Sequence, residues 1–222
     1  MRQANRLNRW LIAATLATMA LDGCVVLAVG AGAGAAGGVA VVASDRRSAG
    51  VQLEDQQLES KVKDALIDSI PKTAMNVTVT SYDHRVLLTG EVRTAEMRAT
   101  AERAAGHVEN VREVLNELTV GERASFGDRT DDTLLAGKVK STLLGADGVP
   151  TEVVLTTVDQ GVVYLMGKVT PAEGEAAAKA ASRVSGARRV VKLFELITDQ
   201  EVAAIKKAQD AAPSGAKNEG HP

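Results

Sequence analysis

The chain has 222 residues, a formal charge of −2 and a pI of about 6.0. That length allows one or two domains, and a chain with no basic excess and only 2% aromatic residues lacks the charge and the stacking platforms that nucleic-acid binding needs. One cysteine excludes an intrachain disulfide framework, so the fold must rest on packed cores. The three histidines, His84, His107 and His221, stand singly and suggest no metal site.

Arg2, Arg6 and Arg9 form a positive stretch without acids, and Leu11 to Leu21 is an apolar run of signal-peptide length, short for a membrane span. Leu21-Asp22-Gly23-Cys24 follows directly. This arrangement resembles the cleavage and acylation signal of bacterial lipoproteins, with Asp22 standing where that pattern has a small or apolar residue. The resemblance implies removal of residues 1–23 and acylation of Cys24. Several acyl chains on one cysteine would anchor the protein permanently. Val25 stands where an aspartate would favour the inner membrane, so the resemblance implies the outer membrane and its periplasmic face.

Val25 to Ala43 carries no charge and five glycines. Its length would suit a span, and Gly30, Gly34 and Gly38 have the small-xxx-small spacing of close helix pairs in a bilayer. The same composition suits a flexible tether, the reading favoured here for residues 24–50. Ser44 to Ser48 is a polar break, after which the chain turns globular.

Leu58, Val62, Ala65 and Leu66 have the spacing of an amphipathic helix, which Pro71 helps to end. Val77 and Val79 alternate with polar residues, and Val86 to Val92 reads as a second strand joined to the first by a turn at Ser81 to Arg85. Ala95 to Gly106 reads as a helix with Thr94 as its N-cap. Val111, Val114, Leu118 and Val120 complete a last strand. The order helix, strand, strand, helix, strand then recurs. Leu135, Val139 and Leu143 match Leu58, Val62 and Leu66, each 77 residues on, and Val163 to Val169 matches Val86 to Val92. Residues 54–120 and 131–197 are therefore two copies of one α+β domain, with a polar linker at 121–130. Gly90 and Gly167 hold the same strand position and mark a bulge or the close approach of another segment. Residues 199–212 suit a short helix with Val202, Ile205 and Ala208 on one side. Pro213 to Pro222 completes a polar tail in 198–222.

The strand Val-x-Leu-x-Gly-x-Val and the closing Val-Ser-Gly-Ala-Arg-Arg-Val at 184–190 resemble the BON domain, a small periplasmic module. Together with the lipoprotein signal, the whole resembles outer-membrane lipoproteins with two BON domains. The resemblance implies a fold class of two tandem αββαβ sandwiches, each with two helices on a three-stranded mixed sheet. It also implies binding of anionic phospholipid and support of outer-membrane integrity.

The residues themselves suggest neither cofactor nor catalysis. No Ser-His-Asp ordering or His/Cys cluster stands out, and the Ala-Gly run at 30–38 precedes any folded element, so it is no phosphate loop. The two copies differ in their first helices. Position 57 is Gln, whereas its counterpart Leu134 lies one residue off the buried stripe and near Lys138, a pairing suited to a lipid interface. A wider core stripe would explain Leu134 equally. Residues 54–120 hold 8 Lys+Arg against 12 Asp+Glu, net −4, while residues 131–197 hold 8 against 8, net 0, so an anionic surface repels the second copy less. The candidate lipid-binding residues are Leu134, Leu135, Lys138, Lys140, Arg183, Arg188 and Arg189. The alternative is a non-enzymatic adaptor that holds the outer-membrane assembly machinery.

Overall fold

The computed structural model describes residues 45–211. Cys24, the signal segment, the apolar stretch to Ala43 and the tail from residue 212 lie outside them.

Helix α1 (Ala49–Ser69) begins where the Ser48 side chain accepts the Val51 amide. It ends at Ile70, which takes the extended backbone that Pro71 demands of its predecessor. After a short 3-10 turn, β1 (Met75–Tyr82) and β2 (Arg85–Val92) form an antiparallel hairpin. Its two-residue turn, Asp83-His84, has positive φ at both positions, the geometry that matches strand twist. Helix α2 (Ala95–Gly106) is capped by Thr94, as expected. The chain then returns parallel to β2 in two pieces, β3 (Glu113–Asn116) and β4 (Thr119–Val120). The sequence predicts one strand there. The break falls at Glu117-Leu118, where Asn116 Oδ1 accepts the Leu118 amide at 3.3 Å and Leu118 turns into the core.

The second copy repeats this order. Helix α3 (Phe126–Leu144) is followed by β5 (Leu155–Asp159) and β6 (Val162–Val169). Helix α4 (Pro171–Ser182) and β7 (Arg189–Leu196) complete it, with β7 parallel to β6. Helix α5 (Asp199–Ala211) closes the described chain. Helix α3 starts inside the segment read as linker, because Ser125 and Asp128 form a reciprocal capping box that nucleates it early.

Each repeat lays its two helices on one face of its sheet. In the first, Leu58, Val62 and Leu66 of α1 are buried, the last two among Val79, Val86, Leu88 and Val92. In the second, Leu135, Val139 and Leu143 of α3 meet Val163, Leu165 and the alanines of α4. The opposite faces of the two sheets meet each other through Tyr82, Leu87, Tyr164 and Met166. The layers therefore run helices, sheet, sheet, helices, and neither sheet leaves a face to water.

Gly90 and Gly167 are where the chain passes closest to itself. A side chain at Gly90 would lie 2.0 Å from the Asn76 carbonyl oxygen, and one at Gly167 would lie 2.3 Å from that of Val153, both at positive φ. Among the described residues no helix is long and apolar enough to cross a membrane.

Candidate functional site

The outward face of α3 is the most apolar surface feature of the second repeat. Three of the seven exposed large apolar side chains of the described residues lie on this helix: Phe126 at 81%, Leu134 at 58% and Leu144 at 66% exposure. With roughly 3.6 residues per turn, Phe126 and Leu144 are about five turns apart on one line, and Leu134 lies within a quarter turn of it. That line is opposite the buried Leu135, Val139 and Leu143. Thr130, Gly137 and Ser141 fill the rest of it, so its centre carries no charge. Exposed Lys138 and Lys140 flank it on its two sides.

Beside this face lies a cavity of about 660 Å³, within the size range of ligand sites. Leu134, Lys138, Arg188 and Arg123 line it together with Asp131 and Asp132. Asp132 Oδ2 and Oδ1 accept the backbone amides of Gln160 and Gly161, each at 2.8 Å, so α3 holds the turn between β5 and β6. Asp128, also in the lining, is spent on the cap: hydrogen bonds from Ser125 hold its carboxyl below the usual range.

The first repeat has the same clamp, more fully used. Asp55, 77 residues before Asp132 and 2% exposed, accepts the amides of Asp83 and His84 at 2.8 Å and the Ser81 hydroxyl at 2.7 Å. It also accepts Arg47 Nη1 at 2.8 Å. Burial alone would raise its pKa, but the His84 amide, the Ser81 hydroxyl and Arg47 outweigh burial and lower it. The Arg47 guanidinium lies 4.0 Å over the Tyr82 ring and also pairs with Asp45 at 2.7 Å. Its neighbour Arg46 makes two 2.7 Å bonds to Glu173 and a third to the Lys168 carbonyl, on the second repeat.

Polar contacts across the seam follow the internal repeat. At one end Lys168 pairs with Asp83 at 2.9 Å, and Arg112 bridges Asp83 and Glu195. At the other, the counterparts of Lys168 and Asp83 are Glu91 and Gln160, joined by a 2.7 Å bond from Gln160 Nε2 to Glu91 Oε1. Glu91 is 1% exposed, and Asp159 nearby accepts the Gly90 amide at 3.1 Å. Burial first, and then the Glu91 charge, push the Asp159 carboxyl up to about 6.

The sequence-predicted residues fall into three groups. Leu134, Lys138 and Arg188 converge on the cavity, with Leu134 exposed rather than part of a wider core stripe. Leu135 is a correction: at 5% exposure it belongs to the stripe that packs under Gly186 and against the second core, so it cannot be presented to a bilayer. Lys140, Arg183 and Arg189 are exposed but lie outside the cavity lining. Arg183 caps the C-terminus of α4, and Arg189 faces Glu117 of the first repeat at 3.8 Å. Sequence reading missed Phe126, assigned to the linker. It also missed the Asp55/Asp132 clamp, although the 77-residue spacing aligns these two aspartates. Among the histidines, His84 meets Glu54 at 2.9 Å and His107 bonds its own helix at the Arg103 carbonyl.

Comparison with known proteins agrees with this architecture. The BON domain family model matches residues 54–122 and 131–198. The chain is 40% identical over 182 residues to the outer membrane lipoprotein DolP of Haemophilus influenzae, covering 82% of this chain and 92% of that protein. It is 34% identical to a 21 kDa hemolysin of Actinobacillus pleuropneumoniae, covering 69% and 79% of the two chains. It is 30% identical to the osmotically-inducible protein Y of Escherichia coli, covering 67% and 76%. With two matched domains and a relative of this similarity along most of its length, the chain belongs to the BON-domain family, as a DolP-like protein with two BON domains in tandem.

Proposed function

We propose that this is a lipid-anchored protein of the outer membrane's periplasmic face whose second BON domain docks on anionic phospholipid through helix α3, without catalysis. The observation that carries this reading is the outward stripe of Phe126, Leu134 and Leu144 with Lys138 and Lys140 on its flanks. An amphipathic helix of this kind lies in the interface plane, its apolar residues among the acyl chains and its lysines at the phosphates. Each lysine near an anionic surface adds about 1 kcal/mol of attraction. Arg188, at the cavity rim, is placed to meet a headgroup held beside Leu134. The first repeat offers a poorer face: on α1 the exposed Leu53 and Ile67 are separated by Gln56, Ser60 and the acid Asp64.

The sequence signal at Cys24 and the similarity to an outer membrane lipoprotein support the anchor and its location. The role served is support of outer-membrane integrity, by keeping a folded module on the inner leaflet.

Residues 44–222, which lack the acylated cysteine, are mixed with phosphatidylglycerol liposomes and floated at low and high salt. Flotation at low salt is expected, falling as salt screens the lysines. Leu134→Gln, which copies position 57 of the first repeat, is expected to lower the bound fraction about tenfold. The double variant with Phe126→Ser is expected to abolish it. Failure of the unmodified protein to float under any condition sinks the proposal. The remaining reading is then an adaptor that holds the outer-membrane assembly machinery on this same apolar stripe.

A further inference from the structure

The two ends of the seam are related by the internal repeat, yet only one is filled. At the first, the segment Asp45-Arg46-Arg47-Ser48 precedes α1, and Arg47 sends its guanidinium into the space between Asp55, Asp45 and the Tyr82 ring. Its counterpart, 77 residues on, is Glu122-Arg123-Ala124-Ser125 ahead of α3. Both serines cap their helices, so the backbone enters the two helices in the same register. Ala124 therefore stands where Arg47 stands, and it lines the cavity that Asp132 also lines. The space that a guanidinium fills in the first repeat is, in the second, part of this cavity.

The chemistry of the walls agrees. A carboxylate has about four lone-pair positions. Asp55 fills four, with two amides, a hydroxyl and the guanidinium. Asp132 fills two, both with turn amides, because Val158 replaces Ser81 and Ala124 replaces Arg47. Asp159 takes the place of Tyr82 and stands near enough to Asp132 for their charges to repel. Arg123, Lys138 and Arg188 reach the lining, but among the described residues none forms an ion pair with Asp131 or Asp132. The cavity continues past the acids to Leu134 and Ala124, an apolar wall beside the carboxylates.

We propose that this cavity receives the guanidinium of an arginine side chain from a partner polypeptide, which bonds Asp132 as Arg47 bonds Asp55 and lays its neighbouring residues along Leu134. A planar guanidinium can give two parallel hydrogen bonds to one carboxylate, which an ammonium cannot reproduce. The guanidinium contact is separate from the lipid face, because it uses Asp132 and the space at Ala124; Leu134 is shared by the two surfaces, and lipid docking adds Phe126, Leu144 and the lysines.

The test follows the Gln160 and Gly161 amides, which report on Asp132, by NMR of the isotope-labelled full chain in neutral-detergent micelles. N-acetyl-arginine methylamide is titrated in, beside its citrulline and lysine analogues. Saturable shifts at both amides are expected with arginine, with affinity at least ~10-fold weaker for uncharged citrulline and for lysine. Ala124→Arg restores the side chain of the first repeat and leaves the clamp intact. It is expected to abolish the response to added arginine and to raise the melting temperature. Equal response to arginine and citrulline, equal response to lysine, or undiminished binding by Ala124→Arg would each overturn the proposal. So would the same shifts produced by neutral-detergent micelles doped with phosphatidylethanolamine in place of arginine, which would make the site a headgroup pocket. Flotation on phosphatidylglycerol is read separately, so either idea can fail alone.

Discussion

Asp55 and Asp132 show how a single carboxylate can hold a domain together. Each sits on the first helix of its repeat and takes the two backbone amides of the hairpin turn, where Asp83-His84 and Gln160-Gly161 have positive φ and no strand partner. A buried amide left without an acceptor costs about 1–3 kcal/mol, and Arg47 would also lose a partner. Asp55→Ala is therefore expected to destabilise the protein by roughly 3–5 kcal/mol in urea unfolding. Asp132→Ala should cost less, because it strands two donors rather than four. Equal costs would show that Arg47 and Ser81 add nothing to the first clamp. The sequence reading passed over this pair because acids on a polar helix face look alike until the fold brings one of them to a turn. For Leu134 the sequence left two readings open, a lipid-facing position or a wider core stripe, and the structure decides for exposure because one residue of displacement carries the side chain off the buried stripe. The sequence reading placed Leu135 among lipid-binding residues although that residue lies within the stripe itself, a conflict that the 3.6-residue period already contained.

At the scale of elements, the helices and the hairpins were legible because their signals are local. Pro71 and Thr94 act on neighbouring residues, and the repeat confirms each element twice. The divided strand after α2 was not legible, because Asn116 breaks the ladder through bonds to Arg98 and Glu102 on α2, and only the fold brings these near. Nor was the true start of α3, where Ser125 and Asp128 cap a helix inside a stretch whose polarity suggests linker. Gly167 shows the strictest requirement on a strand. Its φ of 148° and the carbonyl 2.3 Å from any Cβ mean that Gly167→Ala must push the Val153 segment away from β6. A loss of roughly 2 kcal/mol or more is expected from thermal or urea denaturation. Gly137→Ala, on the open face of α3 where nothing lies within 4 Å, should stabilise by up to about 1 kcal/mol and serves as the matched control.

For the whole molecule, the two sheets share one apolar layer, so the repeats are halves of one body rather than beads on a string. Their seam carries a pH dependence. Asp159 has a pKa of about 6 in the folded chain against an ordinary 3.8, raised by burial and by Glu91, with a smaller push from Asp132 and with the Gly90 amide opposing. A carboxyl whose pKa rises on folding binds its proton more tightly in the native state. It thus favours folding most at pH below about 4 and loses that contribution as pH climbs through 6. Asp159→Asn, which keeps an acceptor for Gly90, is expected to make stability less dependent on pH between 4 and 6 and to be the more stable form at pH 7. Parallel urea midpoints for the two proteins across this range would show that Asp159 does not titrate there.

The two arginines just before α1 have a mechanical consequence. Arg46 grips the second repeat and Arg47 the first, within adjacent residues, and Gln209 of α5 bonds the Asp45 carbonyl at 2.6 Å. Within two residues the chain is tied to both halves, through Arg46 to Glu173 and through Arg47 to Asp55. In the anchored arrangement proposed above, a pull from the membrane would therefore meet both repeats rather than α1 alone.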